Sequence, residues 1–231
     1  MRHDPDALMI FAAGFGTRMG PLTATRPKPL IEVAGRTLLD RALAMGAQAG
    51  VARTVVNTHY LREQVAAHLA DRPEIAISAE AEILETGGGL KAALPLLGPG
   101  PVMTLNPDAV WTGPNPLAAL RAAWDPARMD ALLMLVPASA ARGYRGQGDF
   151  TRAPDGRLTR GPGHVYSGAQ IVKTEGLSAI AEANFSLNLL WDRMLPEGRV
   201  HGLIHPGGWC DVGRPEGVTL AETMLADVAH V

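Results

Sequence analysis

Short apolar segments alternate with helical patterns along the first 140 residues, and this alternation restricts the possible fold more than any other feature. The first segment is a continuous apolar run that ends in glycine, as a buried parallel strand does. The segments are "ALMIFAAG" from residue 7, "RTVVNTHY" from 53, "EIAISAE" from 74, "PVMTLNPD" from 101 and "DALLMLVPA" from 130. Amphipathic patterns such as "RTLLDRALAMGAQAG" and "LREQVAAHLADR" lie between them. Successive strand–helix–strand units need right-handed crossovers, so we predict an α/β fold with a mostly parallel sheet and helices on both faces.

The pattern changes at about Gly143. The segment "GYRGQGDFTRAPDGRLTRGPG" (143–163) is rich in glycine and charge and contains the turn signal "PDG". It predicts a hairpin or lid outside the main sheet, in other words a small inserted lobe. Strand and helix patterns return after it and end with the helical segment "RPEGVTLAETMLADV". Because no internal repeat is present, we predict a single domain over residues 1–231.

The charge and the cysteine content exclude several classes of protein. The formal net charge is −2 and no long basic run is present, so a nucleic acid is not expected as a partner. Cys210 is the only cysteine, which excludes a disulfide within the chain. No apolar run approaches the roughly 18 residues that cross a bilayer, and the start "MRHDPD" is too acidic for a signal peptide. We therefore expect a cytoplasmic protein with no membrane partner.

A glycine-rich segment follows the first predicted strand, at the edge where open α/β sheets bind their ligands. Gly14, Gly16 and Gly20 let the backbone approach a phosphate and adopt positive φ, so that successive N–H groups can form an anion nest. Arg18 adds a forked donor for phosphate oxygens, and Lys28, held between two prolines, adds a point charge. The segment therefore predicts a site for a triphosphate.

Two well-known phosphate-binding motifs do not fit this segment. A Walker loop needs lysine after its second glycine, but Gly20 is followed by Pro21. A dinucleotide fingerprint needs a third glycine at the position that Met19 occupies. The glycines alone fit a surface turn equally well, so the interpretation depends on the longer string around them.

The complete string "AAGFGTRMGPLTATRPKPL" resembles the signature of the sugar-1-phosphate nucleotidyltransferases, the nucleoside-diphosphate-sugar pyrophosphorylases. The resemblance continues in "IEVAGRTLLD", "ETGGGLKAALPLL", "NPD" and "WCDVGRPE", so it covers nearly the whole chain. Within the family, the chain resembles in particular the short uridylyltransferases that act on N-acetylmuramic acid 1-phosphate in peptidoglycan recycling. The shared strings are "LETGGG", "GDF" and the final "W-x-DVG".

The resemblance implies a fold and a division of the chain. The fold would be a Rossmann-like mixed α/β nucleotidyltransferase domain. Residues 1–140 would form its nucleotide-binding half and residues 141–231 its sugar-phosphate-binding half. The sequence shows no hexapeptide repeats, so we expect no C-terminal β-helix.

The resemblance also implies a reaction, in which the phosphate oxygen of a sugar-1-phosphate attacks the α-phosphorus of a nucleoside triphosphate and releases pyrophosphate. Its barrier comes from aligning two polyanions, so cations supply most of the catalysis. Arg18, Lys28 and Asp108 are the expected catalytic residues. Asp108 and Asp211 each end an apolar run, so both can converge on the carboxyl edge of the sheet, and we expect both to hold Mg²⁺ as cofactor. An isolated Asp at such a position would more often accept hydrogen bonds within a turn.

The family pattern assigns two groups of binding residues. The nucleotide is expected to contact Ala12, Ala13, Gly14, Gly16, Thr17, Arg18, Lys28, Glu80, Gly87, Gly88 and Asn106. The sugar phosphate is expected to contact Gly148, Asp149, Ser167 and Gly168. A carboxylate at Glu80 would accept a hydrogen bond from uracil N3–H, although guanine also offers N–H donors.

Three residues depart from the family pattern. Pro107 stands where glycine usually precedes the metal-binding aspartate, Gly20 stands where many members have arginine, and Phe15 replaces a residue that is often polar. Pro107 and Gly20 leave open a weakly active nucleotide-binding regulatory homologue. Guanylyl transfer to mannose 1-phosphate and cytidylyl transfer to a phospho-alcohol also stay open as alternatives, because the triphosphate loop is common to the whole family. A monomer and a homodimer are both compatible with the sequence.

Overall fold

The structure, a computed structural model, describes residues 4–229. The strands of this part of the chain are β1 (Ala7–Phe11), β2 (Glu32–Val33), β3 (Arg36–Thr37), β4 (Arg53–Thr58), β5 (Ile75–Ala79), β6 (Val102–Leu105), β7 (Ala109–Trp111), β8 (Ala131–Pro137), β9 (Ala141–Arg142), β10 (Phe150–Arg152), β11 (Leu158–Arg160), β12 (His164–Val172), β13 (Val200–Ile204) and β14 (Trp209–Asp211). The α-helices are α1 (Leu38–Gln48), α2 (Arg62–His68), α3 (Glu85–Leu97), α4 (Pro116–Ala123), α5 (Asn188–Met194) and α6 (Pro215–Ala229).

Nine strands form the central sheet. Seven of them follow the order β11-β10-β12-β6-β1-β4-β5, and β8 pairs with both β12 and β13. The β1, β4, β5 and β6 strands are mutually parallel, and β13 is parallel to β8. The β12 strand runs antiparallel to both of its long neighbours, β6 and β8. The predicted mixed, mostly parallel α/β sheet is therefore confirmed.

Both faces of the sheet are covered, as predicted. Alternate residues of β1 point to opposite sides. Leu8 and Ile10 belong to the core under α1, α2 and α4, whereas Ala7 and Met9 belong to the core under α3 and α5. A side chain caps the start of α4: the Asn115 carboxamide oxygen accepts hydrogen bonds from two backbone N–H groups of the first turn.

Two segments lie elsewhere than the sequence predicted. The hairpin of β10 and β11 pairs with β12 and so extends the central sheet at one edge, where a lobe outside the sheet was expected. The β14 strand belongs to a separate three-stranded sheet of order β7-β14-β9. Asp211, at the end of β14, therefore approaches Asp108 from this small sheet and not from the edge of the parallel one.

Within residues 4–229, no helix has both the length and the apolar character that a membrane-spanning segment requires. Cys210 is buried in the small sheet, where burial raises the pKa of its thiol to about 11. Its side chain contributes packing to the cluster formed with Met19, Val110 and Met224.

A single methyl group added at the start of α3 is predicted to destabilise the fold. A Cβ at Gly88 would collide with the carbonyl oxygen of Ala183, which the backbone fixes in place. We expect Gly88→Ala to lower the free energy of unfolding by about 1–3 kcal/mol, as inserted methyl groups do in packed sites. Urea titration measures the loss. Gly14→Ala is the matched control, because among the described residues no atom beyond its chain neighbours lies within 4 Å of the added Cβ. An equal loss in both variants would contradict the packing explanation.

Candidate active site

A cleft of about 440 Å³ opens at the carboxyl ends of the parallel strands. The residues that follow β1, β5 and β6 line it, together with residues of the glycine-rich segment, as the position of ligand sites in open α/β sheets predicts. Nine of the eleven residues expected at the nucleotide line this cleft: Ala12, Ala13, Gly14, Gly16, Thr17, Arg18, Lys28, Glu80 and Asn106. The structure therefore gathers most of the predicted set in one place.

The glycine-rich segment is shaped by two positive φ angles. Gly16 has φ of 66° and Gly20 has φ of 55°, both in the region that favours glycine. A Cβ at Gly16 would lie 2.9 Å from Cβ of Lys28, so the loop passes very close to the lysine. The Thr23 hydroxyl donates to the Gly16 carbonyl at 3.0 Å, and buried Met19 anchors the turn between them. Close packing of this loop sets the position from which Lys28 reaches the cleft.

An ion pair spans the cleft. Lys28 Nζ donates to Asp108 Oδ2 at 2.6 Å, and their side chains are 12% and 32% exposed. Burial alone would raise the pKa of Asp108, but the charges of Lys28 and Arg18 outweigh it, so the pKa lies below its ordinary value. Pro107 has not displaced Asp108 from this pair. The carboxylate is therefore ionised at neutral pH and is oriented toward the two cations.

A second carboxylate lies beside the first. Asp211 pairs with Ala109 across β14 and β7, and the Val212 N–H donates to the Asp108 carbonyl at 2.8 Å. Burial and the charge of Asp108 raise the pKa of Asp211, against the opposing effect of Lys28 and Arg18. Two oxygen ligands on neighbouring carboxylates suit Mg²⁺, which commonly takes one or two carboxylates with phosphate and water. The described residues hold no cluster of three or more His, Cys, Asp or Glu side chains suited to a metal ion.

The other end of the cleft is organised around Glu80, which is 3% exposed. Its Oε1 accepts from the Asn57 amide at 2.7 Å, and its Oε2 accepts from the Leu84 N–H at 3.1 Å. The side-chain oxygen Oδ1 of Asn57 in turn accepts from the Ala12 N–H at 2.7 Å. Asn57 thus ties the start of the glycine-rich segment to the carboxylate, and the sequence analysis missed it. A buried polar residue in the apolar strand "RTVVNTHY" was the available signal.

Gly87 and Gly88 do not line the cleft, so the expected contact with a base finds no support in the structure. Both N–H groups donate to the Phe185 carbonyl, at 2.8 and 3.1 Å. Side chains at these positions would enter the Phe185 ring and the Ala183 carbonyl. The third glycine, Gly89, faces the carboxylate: a Cβ there would lie 2.7 Å from Glu80 Oε1. The glycines of "ETGGG" allow α3 to pack closely against these neighbours.

A second cavity, of about 360 Å³, adjoins the cleft, and the two share Phe11, Thr86, Asn106 and Ser186 as lining residues. Asp149 lines this second cavity, and its Oδ2 accepts from the Tyr166 N–H at 2.8 Å. A fixed carboxylate of this kind can accept hydrogen bonds from sugar hydroxyls. Asp149 therefore lies in a cavity next to the cleft that gathers most of the residues expected at the nucleotide.

The other three residues expected on the sugar side have structural roles and do not line either cavity. Gly148 has φ of 107° and packs against the Gly163 and His164 backbone. The Ser167 hydroxyl donates to the Met134 carbonyl at 2.6 Å, and the side chain is 2% exposed. Gly168 sits in the irregularity of β12 between Tyr166 and Gln170 and accepts from the Asn106 N–H at 2.8 Å. These residues shape the backbone that supports the cavity.

Several lining residues of the second cavity were not identified from the sequence, among them Phe150, Arg160, Tyr166, Asn188 and Trp191. They come from β10, β11, β12 and α5, which meet only because the hairpin joins the sheet edge. The Trp191 indole donates to Gln170 at 2.9 Å, and burial raises the pKa of Tyr166 above its ordinary value. The sequence carried no local signal for this grouping.

The carboxylate pair predicts a stability effect with a definite pH dependence. The raised pKa of Asp211 means that its ionised form costs stability in the fold, a cost present at neutral pH that vanishes below the ordinary pKa. In buffer free of divalent cations, we expect Asp211→Asn to melt a few degrees above the wild type at pH 7. The difference should shrink as the pH approaches 4.

Asp71→Asn serves as the control for this effect, since Asp71 is an exposed aspartate outside the cleft. It should leave the melting temperature unchanged at both pH values. A lower melting temperature for Asp211→Asn at pH 7 would show that the two carboxylates do not repel each other in the fold.

Comparisons of sequence with known proteins agree with the geometry of the cleft. Residues 8–154 match the family model of the MobA-like NTP transferase domain. An N-acetylmuramate alpha-1-phosphate uridylyltransferase of Caulobacter vibrioides is 43% identical to this chain. The alignment covers 98% of this chain and 100% of the relative. A protein of the same name from Neisseria meningitidis serogroup B is 38% identical, over 89% of this chain and 92% of its own length.

Solved structures share the fold at lower identity. HddC from Yersinia pseudotuberculosis superposes with a TM-score of 0.76 at 21% identity, covering 95% of this chain and 99% of its own. A UDP-glucose pyrophosphorylase solved with UDP-glucose superposes with a TM-score of 0.78 at 15% identity, covering 97% and 99%. The chain is thus an enzyme of the sugar-1-phosphate nucleotidyltransferase family, built on a MobA-like NTP transferase domain.

Proposed function

We propose that this enzyme transfers a uridylyl group from UTP to N-acetylmuramic acid α-1-phosphate, with Mg²⁺ as cofactor, and releases pyrophosphate. The observation that carries the proposal is the position of Lys28 and Asp108 in the wall of a cleft that continues into a second cavity, with the Asp211 carboxylate beside Asp108. The cleft has room for a nucleotide, and the cavity beside it has room for a sugar. The similarity to two N-acetylmuramate alpha-1-phosphate uridylyltransferases over most of their length supports this choice of substrates.

The chemistry needs alignment more than proton transfer. A phosphate oxygen of the sugar-1-phosphate forms a bond to the α-phosphorus of UTP, and the bond from that phosphorus to the bridging oxygen breaks. Pyrophosphate leaves with the electron pair. The nucleophile is already an anion at neutral pH, so the barrier lies in bringing two polyanions into line. Lys28 and Arg18, both lining the cleft, neutralise charge on the reacting phosphates.

Asp108 and Asp211 are the residues that would hold Mg²⁺. Each presents oxygen ligands of the hard type that this cation prefers. Burial and the charge of Asp108 raise the pKa of Asp211, and a divalent cation would offset both effects. Bound there, the ion would supply charge neutralisation and orientation of phosphate oxygens. The Lys28 ammonium already holds one oxygen of Asp108, which limits the directions in which that carboxylate can turn.

The base would be recognised at Glu80. Asn57 and the Leu84 N–H each donate to a different oxygen of this carboxylate, and both interactions hold it as an acceptor. Each oxygen has a further lone pair, and uracil N3–H is a donor of the matching kind. Cytosine has an unprotonated N3 and offers no such donor. This contrast favours uridine over cytidine.

The proposed reaction predicts pyrophosphate release with a defined pair of substrates. We expect turnover with UTP, Mg²⁺ and N-acetylmuramic acid α-1-phosphate in a coupled pyrophosphate assay, and much lower rates with ATP, GTP or CTP. Asp108→Asn should lower kcat at least about a hundredfold through the loss of a charged contact that orients the phosphates. Absence of turnover with UTP, together with turnover for GTP and mannose 1-phosphate, would replace uridylyl by guanylyl transfer.

The base-recognition proposal predicts a change of selectivity in a single variant. In Glu80→Gln, the amide NH2 replaces one of the two oxygens that accept from Asn57 and Leu84, and the remaining oxygen is a weaker, uncharged acceptor. The side chain therefore loses one of these hydrogen bonds or turns away. We expect KM for UTP to rise by about tenfold or more, as the loss of a hydrogen bond to a charged group does, and the UTP-to-CTP preference to fall. Glu82→Gln, an exposed position outside the cleft, is the control. An unchanged preference in Glu80→Gln would refute the assignment.

A further inference from the structure

Arg160 is the one basic side chain among the described residues that line the second cavity. Its guanidinium carbon lies 4.8 Å from the ring centre of Phe150 and 5.6 Å from that of Trp191. Cations over aromatic faces at these distances are attracted to the rings. The two rings therefore hold the charge in place at the wall of the cavity, in contrast to an arginine that moves freely in solvent.

The sheet order places this arginine away from the reacting phosphates. Its strand, β11, is the third strand out from β6, after β12 and β10. Neighbouring strands are about 4.8 Å apart, so the backbone of Arg160 lies roughly 14 Å across the sheet from that of β6. Asp108 follows β6 directly. A group that meets Arg160 therefore belongs to the part of the acceptor remote from its phosphate.

Not all N–H donors of the Arg160 guanidinium are used in hydrogen bonds within the described part of the protein. Nε and Nη2 contact Asp192 Oδ1 at 3.2 and 2.8 Å, and Nη2 contacts Asn188 Oδ1 at 2.9 Å. Within residues 4–229, Nη1 donates to none of the side chains or carbonyls. The Arg160 and Asp192 side chains are 40% and 53% exposed, and solvent-exposed ion pairs of this kind are weak. An incoming carboxylate can therefore bind the guanidinium without first breaking a strong internal pair.

We propose that Arg160 binds the carboxylate of the acceptor sugar and so selects an N-acetylmuramic acid phosphate over an N-acetylhexosamine phosphate. The proposal rests on the proposed function, in which the acceptor is a muramic acid derivative. Such a sugar differs from N-acetylglucosamine by a lactyl ether on O3, which ends in a carboxylate. Arginine suits this group because its planar fork matches the two carboxylate oxygens. Asp149, in the same cavity, has the opposite charge and suits hydroxyl groups instead.

The test compares two sugar phosphates that differ only in the lactyl group, N-acetylmuramic acid α-1-phosphate and N-acetylglucosamine α-1-phosphate. The wild type should bind and use the first in preference to the second. Arg160→Met should raise KM for the muramic acid phosphate by about 10- to 100-fold, the usual loss for a hydrogen-bonded charge pair. KM for N-acetylglucosamine α-1-phosphate and for UTP should stay within about twofold, and Arg160→Lys should recover part of the loss.

Arg157→Met is the matched control, because Arg157 also pairs with an exposed aspartate, Asp155, on the same hairpin but does not line the cavity. It should leave all three KM values unchanged. An equal loss for both sugar phosphates in Arg160→Met would overturn the proposal, since it indicates a structural role. No loss for either, or a wild type without preference between them, would overturn it as well.

A direct binding measurement separates this proposal from the proposed function. Isothermal titration of the same two sugar phosphates into the wild type and Arg160→Met needs no turnover. A carboxylate-dependent preference that disappears in Arg160→Met would support the role of Arg160 even if no uridylyl transfer occurred, in which case only the reaction would be wrong. Turnover without any such preference would leave the reaction intact and reject the role of Arg160.

Discussion

The ion pair between Lys28 and Asp108 joins two parts of the chain that are 80 residues apart, and the geometry of the cleft depends on it. Lys28 lies beyond the glycine-rich loop, whereas Asp108 follows β6 in the centre of the sheet. The half-buried Asp108 has a second carboxylate as its neighbour and needs a compensating cation. Lysine supplies that cation from a loop that could not come so close if Gly16 carried a side chain. Gly16 and Lys28 therefore act together, because the close approach that the glycine allows lets the lysine reach Asp108.

The two ends of the site are built from different kinds of structure. Parallel strands and the Asn57–Glu80 pair, both buried, form the cleft that we propose for the nucleotide. A short hairpin at the sheet edge, β12 and α5 form the cavity that we propose for the acceptor. Buried strand ends tolerate few substitutions, whereas a hairpin at an edge can change its side chains at little cost to the core. The division allows a common nucleotide chemistry to be combined with different acceptors.

The sequence predicted the fold class well because buried strands and amphipathic helices leave strong local patterns. Nine of the eleven residues expected at the nucleotide line one cleft, since the string that contains most of them is continuous in the chain. Five predicted residues line neither cavity, because glycine or serine serves backbone packing there: Gly87, Gly88, Gly148, Ser167 and Gly168. Arg160 and Trp191 could not be found, because their proximity arises only when the β10–β11 hairpin joins the sheet.

The position of β12 has a consequence for the order in which the protein is assembled. In the part of the chain that the structure describes, β8 pairs with β12 and β13 alone, and β12 also covers the side of β6 that does not pair with β1. Both partners of β8 are synthesised after it, so a nascent chain carries an unpaired, strongly apolar strand until residue 172 has left the ribosome. Such a strand is prone to aggregate. The risk of aggregation is therefore highest while the 35 or so residues after Pro137 are translated. During that period chaperones have an unpaired apolar strand to protect.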